Sequence, residues 1–198
     1  MKKLYIFDMG GVVARNCNIL PDLAAHLGAS QEDVRDWGKD LFFPLMEGKL
    51  SAQRFWEIFS QRSGLRVEEG LFAKFFNPVV DDAVHACILK LKARHRVICG
   101  TNTIAEHYAI HCKRGDYQAF DLVYASHRMG VAKPDREFYR HIIEKEKFSP
   151  AQIVFIDDRP ENVEAARALG IHALHFTGGD HLREQLDIQP FPAEHEAG

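Results

Sequence analysis

Apolar and polar positions follow two different rhythms along this chain. Leu4-Tyr5-Ile6-Phe7 is an unbroken apolar run that ends on Asp8 and is followed by Met9 and two glycines. That is the pattern of a buried strand that stops at a carboxylate and turns. From about Asn16 to Asn77 no such run recurs. Leu20, Leu23, Ala24 and Leu27 fall at helical spacing, with Gly28 as a stop. Ser30 reads as an N-cap, with Asp33 at the third helical position. Leu41, Phe42, Leu45 and Met46 form the next stripe, ended by Gly48. Ser51 caps a helix carrying Phe55, Ile58 and Phe59 that ends at Gly64, and Leu71, Phe72, Phe75 and Phe76 close the series before Asn77-Pro78. The spacing predicts around four short helices, a small bundle inserted after the first strand.

From Val80 the rhythm becomes regular alternation. An amphipathic helix over Val84–Leu91 precedes a strand, Arg96–Gly100, that runs into Thr101-Asn102-Thr103. A helix over 104–113, a strand over 121–126 and a helix over 135–147 follow. Ser149-Pro150-Ala151-Gln152 is a capping-box sequence. Ile153–Ile156 is a strand ending on Asp157-Asp158, then come a helix over 160–169 stopped by Gly170 and a last strand over 172–176. After Pro190 the tail is polar and Pro-containing, the composition of a mobile terminus. The alternation predicts an α/β fold, a Rossmann-like three-layer core with a mostly parallel sheet and helices on both faces. Residues 1–15 and 80–198 supply that core, and 16–79 the small α-helical insertion.

Composition narrows the partners. A chain of 198 residues, 46% hydrophobic, has enough apolar material for one core with a modest insertion. A net charge of −3 leaves no basic footprint for nucleic acid. No apolar run approaches the ~20 residues of a membrane span, so no membrane partner is expected. Asp8 interrupts the apolar run behind Lys2 and Lys3, unlike a signal peptide, which predicts a cytoplasmic protein with reduced cysteines. The four cysteines lack C-x-x-C or zinc spacing. His107 and His111 are the only histidine pair four apart in a helical stretch, and further ligands are missing nearby, so zinc is not expected there.

Three apolar strands share one feature: each delivers polar groups at its C-terminal end. These are Asp8, Thr101-Asn102 and Asp157-Asp158, and Lys133 follows a further strand. In a parallel sheet those ends lie on the edge where ligands bind. Alone, each has a bland reading. Thr101-Asn102-Thr103 is a common helix N-cap, Lys133-Pro134 a surface turn, and Asp157-Asp158 a cap for the next helix. Together they suit a divalent metal and a phosphoryl group. Magnesium prefers oxygen ligands, which the Asp8 and Asp158 carboxylates and the Gly10 carbonyl offer. The Thr101 hydroxyl and Asn102 N–H would hold phosphate oxygens, and Lys133 would balance transition-state charge. Asp8 would be the nucleophile.

These motifs identify the chain as a member of the haloacid dehalogenase-like (HAD) hydrolase superfamily, which it resembles over essentially its whole length. Phe7-Asp8-Met9-Gly10-Gly11-Val12 resembles motif one, with its nucleophilic Asp. Ile98-Cys99-Gly100-Thr101-Asn102 resembles motif two, Lys133-Pro134 motif three, and Phe155-Ile156-Asp157-Asp158 motif four, with Asn162 four residues on. The resemblance implies a Mg2+-dependent phosphatase in which Asp158 binds the metal directly, Asp157 orients metal-bound water, and the inserted helices form a cap. Within the superfamily the chain resembles small bacterial phosphatases of the glucose-1-phosphatase type. It shares with them Asp8-x-Gly10-x-Val12, Glu47-Gly48-Lys49-Leu50-Ser51 and the Asn102-Thr103 pair. That implies a small phosphorylated metabolite as substrate, such as an aldose 1-phosphate.

One position departs from the family. Most of its phosphatases carry a second Asp two residues after the nucleophile as general acid and base, and here Gly10 stands there. General acid catalysis contributes ~10²–10⁴-fold, although an anomeric leaving group is less basic than an ordinary alkoxide. His26, Glu47 and Arg15 are the candidate substitutes. Two other readings compete. A weak or inactive ligand- or partner-binding protein would explain Gly10. A 2-haloacid dehalogenase also lacks the second Asp, but Asp157-Asp158 argues against it. Trp37, Phe42, Phe43 and Trp56 are candidate pocket walls, with helical spacing favouring core for most of them.

Overall fold

The computed structural model describes residues 1–186; the tail after Pro190 lies outside them. β1 (Leu4–Phe7) is buried at every residue, as an unbroken apolar run requires of a strand covered on both faces. After the turn at Gly10 and Gly11 comes a two-residue strand, β2 (Ala14–Arg15). Five helices follow, α1 (Leu20–Leu27), α2 (Gln31–Gly38), α3 (Phe42–Met46), α4 (Ala52–Ser63) and α5 (Leu71–Phe75). The spacing predicted around four. Left-handed glycines at Gly28, Gly48 and Gly64 divide the apolar stripes into separate short helices. Ser30 and Ser51 cap α2 and α4 as expected, Ser30 in a full capping box with Asp33. β3 (Val79–Val80) then runs antiparallel to β2 and closes the neck of the insertion.

The remainder alternates as predicted: α6 (Asp82–Lys92), β4 (Arg96–Thr101), α7 (Ala105–Arg114), β5 (Val123–Ala125), α8 (Ser126–Met129), α9 (Arg136–Glu146), β6 (Ile153–Asp157), α10 (Pro160–Arg167), β7 (His172–His175) and α11 (Gly179–Gln185). Periodicity missed α8, a single turn, and α11, which begins among glycines that resemble a loop. The five long-range strands form one parallel sheet in the order β5-β4-β1-β6-β7. Alternate β1 residues serve opposite faces, as the pleat dictates. Tyr5 and Phe7 pack with Val84, Ile88 and Leu182 of α6 and α11. Leu4 and Ile6 pack with Phe138, Ile142 and Val163 of α9 and α10. The result is a three-layer α/β core. Among the described residues, no helix is long and apolar enough to cross a membrane.

The inserted helices gather around a core of their own, built from Leu23, Val34, Phe55, Trp56, Phe59 and Phe72, to which Ile104 of the α/β layer contributes. They are tied down at the C-terminal edge of the sheet. The Ser126 hydroxyl, just past β5, donates to the Met46 carbonyl at 2.6 Å. The His107 ring stacks on Phe76 at 3.7 Å, and its Nε2 meets the Phe72 carbonyl. A side chain on Gly48 would collide with the His127 carbonyl. The turn at Met46 and Gly48 thus docks the insertion against the core.

Candidate active site

Sheet register assembles the site. Phe7 is level with Cys99 of β4 and Ile156 of β6, so Asp8, Gly100 and Asp157 emerge side by side. Oxygens of Asp8, Asp157 and Asp158 all lie within 4.8 Å of one another. Lys133, in the loop between α8 and α9, is fully buried beneath them. Its Nζ donates to Gly100 O at 2.9 Å, to Asp157 Oδ2 at 2.7 Å and to Asp8 Oδ1 at 2.9 Å. Three acceptors match the three ammonium protons.

The backbone of Lys133 is fixed by Asn102. The Asn102 carboxamide accepts from Lys133 N–H and donates to Lys133 O, each at 2.8 Å. The Asn102 side chain is thus committed to Lys133, and the N–H expected to hold phosphate oxygens is that of its backbone. Asp157 is equally occupied, since its Oδ1 accepts from Asn162 Nδ2 and from Arg159 N–H, both at 2.9 Å. Tyr139 in turn donates to the Asn162 carbonyl at 2.9 Å. Thr101 is buried at the end of β4, and its hydroxyl reaches only the Asn102 carbonyl, at 3.4 Å, among the described residues.

Asp8 takes Met9 N–H at 2.7 Å and Lys133 on the same oxygen, Oδ1, so Oδ2 is the atom left for chemistry. Burial pushes the Asp8 carboxyl up to about 7, against the opposing charge of Lys133 and with the help of Asp157. Burial also raises Asp158, and again Asp157 adds to it. Burial alone would depress the Lys133 ammonium, but the flanking charges of Asp8 and Asp157 outweigh it and hold it above its ordinary value. One ammonium against three carboxylates leaves a surplus of negative charge.

That surplus is of the kind a hard divalent cation offsets, and the donors are all oxygen. The chain also makes room for them. Gly11 has φ +85°, and the Asp158 carboxylate carbon would lie 2.6 Å from a Cβ built there. The acid therefore fits only because Gly11 has no side chain. Gly11 was read as a turn signal alone, and its role becomes visible once β6 is placed beside β1. Gly10, Gly11 and Asp158 line an open cleft of about 680 Å³, together with Arg15, Cys17 and Arg35.

Of the candidate substitutes for the general acid, Arg15 lines the cleft, and His26 and Glu47 are not among its lining residues. His26 packs against Phe75 beside a separate pocket lined by Leu65 and Leu71. Glu47 pairs with Lys49. Arg15 lines the cleft, but a guanidinium does not release a proton in proteins, and this one faces Asp81 at 3.6 Å. At the His107/His111 pair, His107 Nε2 meets the Phe72 carbonyl, and His111 Nδ1 lies 2.8 Å from Asp116. Of the inserted aromatics, Trp56 is core and Trp37 packs against that core, while Phe43 is half exposed; Phe42 lines a cavity.

Comparison with known proteins agrees with this geometry. Residues 2–170 match the family model of haloacid dehalogenase-like hydrolases. The chain is 44% identical over 184 residues to a sesquiterpene phosphatase of Aspergillus oryzae, covering 88% of this chain and 90% of that protein. It is 29% identical over 208 residues to a D-ribitol-5-phosphate phosphatase of Bacteroides thetaiotaomicron, covering 95% and 98%. Its fold is similar to that of a HAD family enzyme of the same bacterium, solved with magnesium and inorganic phosphate. There the TM-score is 0.76 at 23% identity, covering 92% and 99% of the two chains. The chain belongs to the haloacid dehalogenase-like hydrolases, and within them it is a phosphoric monoester hydrolase.

Proposed function

We propose that this phosphatase is Mg2+-dependent, uses Asp8 as nucleophile, and hydrolyses a small phosphorylated metabolite. The observation that carries the reading is the sharing of one buried Lys133 ammonium between Asp8 and Asp157 beside Asp158. Residues 16–79 act as the cap, and 1–15 with 80–198 as the catalytic core.

Asp8, Asp158 and the Gly10 carbonyl would hold the cation. When bound, it offsets the repulsion between the Asp8 carboxylate and a phosphate dianion. Asp8 Oδ2 forms a bond to phosphorus as the ester P–O bond breaks, and the leaving oxygen departs with the electron pair. Water then attacks the aspartyl-phosphate, releasing inorganic phosphate and restoring Asp8. Lys133 holds the Asp8 carboxylate in line and balances charge on the phosphoryl oxygens, which the Thr101 hydroxyl and the Asn102 N–H receive. Asp157 and Asn162 keep Lys133 and the metal-binding turn in place.

The test is phosphate release from a panel of phosphorylated metabolites with Mg2+, with a chelator, and with Asp8→Asn. Activity should require Mg2+ and fall more than about a thousandfold in Asp8→Asn. Release unaffected by that substitution would overturn the nucleophile. Phosphate binding without turnover across the panel would favour the ligand-binding reading that Gly10 raises.

A further inference from the structure

The cleft above Asp158 does not end at polar groups. A second cavity, of about 240 Å³, opens beside it beneath the inserted helices. The two share Cys17, Asn18, Leu20 and Arg35 in their walls, so they adjoin. Beyond the shared rim the chamber wall is apolar, formed by Ile19, Leu23 and Phe42. Phe42 is fixed there. Its ring lies over Gly38, where a Cβ would come within 2.7 Å of Cε2, and it packs on Phe55 with centroids 5.1 Å apart. Arg35 stands at the junction of cleft and chamber. Its guanidinium contacts Gln31 Oε1 at 3.4 Å and has no carboxylate partner among the described residues.

This arrangement asks for two chemistries in one molecule. The reacting end is an anion, delivered to Asp8 past Gly11 and Asp158. The other end is met by aliphatic and aromatic walls, with hydrogen-bonding groups for a polyol confined to the rim. We propose that the preferred substrate carries an apolar chain on its phosphoryl group, seated in the chamber of Ile19, Leu20, Leu23 and Phe42, with Arg35 holding the anionic end at the junction. The proposal rests on the phosphatase reading above and deepens it. An apolar chain ending in a monophosphate or in a diphosphate would satisfy the same walls. Gly10, which cannot protonate a leaving group, favours the diphosphate. Attack at its terminal phosphorus expels an alkyl phosphate, with the electron pair on the former bridging oxygen. That anion needs no proton, whereas an alkoxide does.

The test compares kcat/KM with Mg2+ for a series of n-alkyl phosphates of increasing length, the matching alkyl diphosphates, ribitol 5-phosphate and an aldose 1-phosphate. Efficiency should rise about fourfold per added methylene until the chamber is full, the transfer value for burying one CH2. Ile19→Asn should then lower the ratio of kcat/KM for a long-chain ester to that for p-nitrophenyl phosphate at least tenfold. Thermal melting of the variant separates this loss from misfolding, and Leu20→Gln gives a second reading of the same wall. A flat dependence on chain length, with the polyol or aldose ester preferred, would overturn the proposal and leave the phosphatase reading standing. Absence of phosphate release from every ester would overturn both. The two alkyl series show which headgroup the site takes.

Discussion

Gly11 and Asp158 occupy one space: the Asp158 carboxylate rests against the Gly11 Cα, where a side chain would collide with it. Gly11→Ala must therefore displace the acid, and it also strains a left-handed backbone (φ +85°). The Mg2+ concentration for half-maximal activity should rise about 10- to 100-fold, as for other changes that disturb metal-ligand orientation. Titration of phosphate release with Mg2+ checks this. An unchanged Mg2+ requirement would remove Asp158 from the metal site.

Asn102 grips the Lys133 backbone with both ends of its carboxamide. Asn102→Ala should lower stability by ~1–3 kcal/mol, the range for leaving buried partners unsatisfied. It should also reduce kcat at least tenfold, since Lys133 loses its fixed place beside Asp8. Denaturant unfolding and steady-state kinetics check the two effects. A rise in KM with kcat intact would mean that the side chain contacts substrate directly.

Gly10 has room for the acid it lacks. A Cβ there meets only Cys17, at 3.6 and 3.7 Å, which is ordinary contact. Burial holds the Cys17 thiol up at about 11, so it remains neutral. Gly10→Asp should raise kcat for alkyl monophosphates relative to p-nitrophenyl phosphate, whose leaving group needs no proton. General acid catalysis contributes ~10²–10⁴-fold, so a gain of at least tenfold is the expected sign of a working acid. Gly10→Asn is the control, and an equal gain from it would refute protonation as the cause.

His107 couples docking of the inserted helices to acidity. Burial lowers its pKa to about 4, from an ordinary 6.5. Folded protein then binds fewer protons than unfolded protein between those values, so stability is fully present above pH 6.5 and is lost as pH falls toward 4. The loss amounts to roughly 3 kcal/mol by pH 4. Melting temperatures from pH 4 to 8 should show a steeper acid decline for the native chain than for His107→Gln. Parallel curves would rule His107 out as the titrating group.

Much of the core was legible in the chain because burial on both faces of a parallel strand writes a continuous apolar run. Leu4–Phe7 and Ile153–Ile156 carry that signature, and each stops at its acid. The caps at Ser30, Ser51 and Ser149 were equally plain, since a helix start is a local transaction among four residues. α8 and α11 were not, because one or two turns carry too little periodicity to stand out from loop.

What the sequence by itself determined is the set of groups at the strand ends and the parallel order that brings them to one edge. Asp8, Thr101, Lys133, Asp157 and Asp158 follow from local pattern and from the family resemblance. Tertiary structure decided what each group touches. It made the Asn102 carboxamide a clamp on Lys133 and committed Asp157 to Lys133, Asn162 and the Arg159 N–H. It made Gly11 the space for Asp158, and Phe42 the wall of an apolar chamber. The physical reason is that the decisive contacts, Asn102 and Asp157 with Lys133 and Gly11 with Asp158, join residues tens of positions or more apart. They depend on sheet register and on how the inserted helices seat on Ser126 and His127, and neither leaves a local trace in the chain.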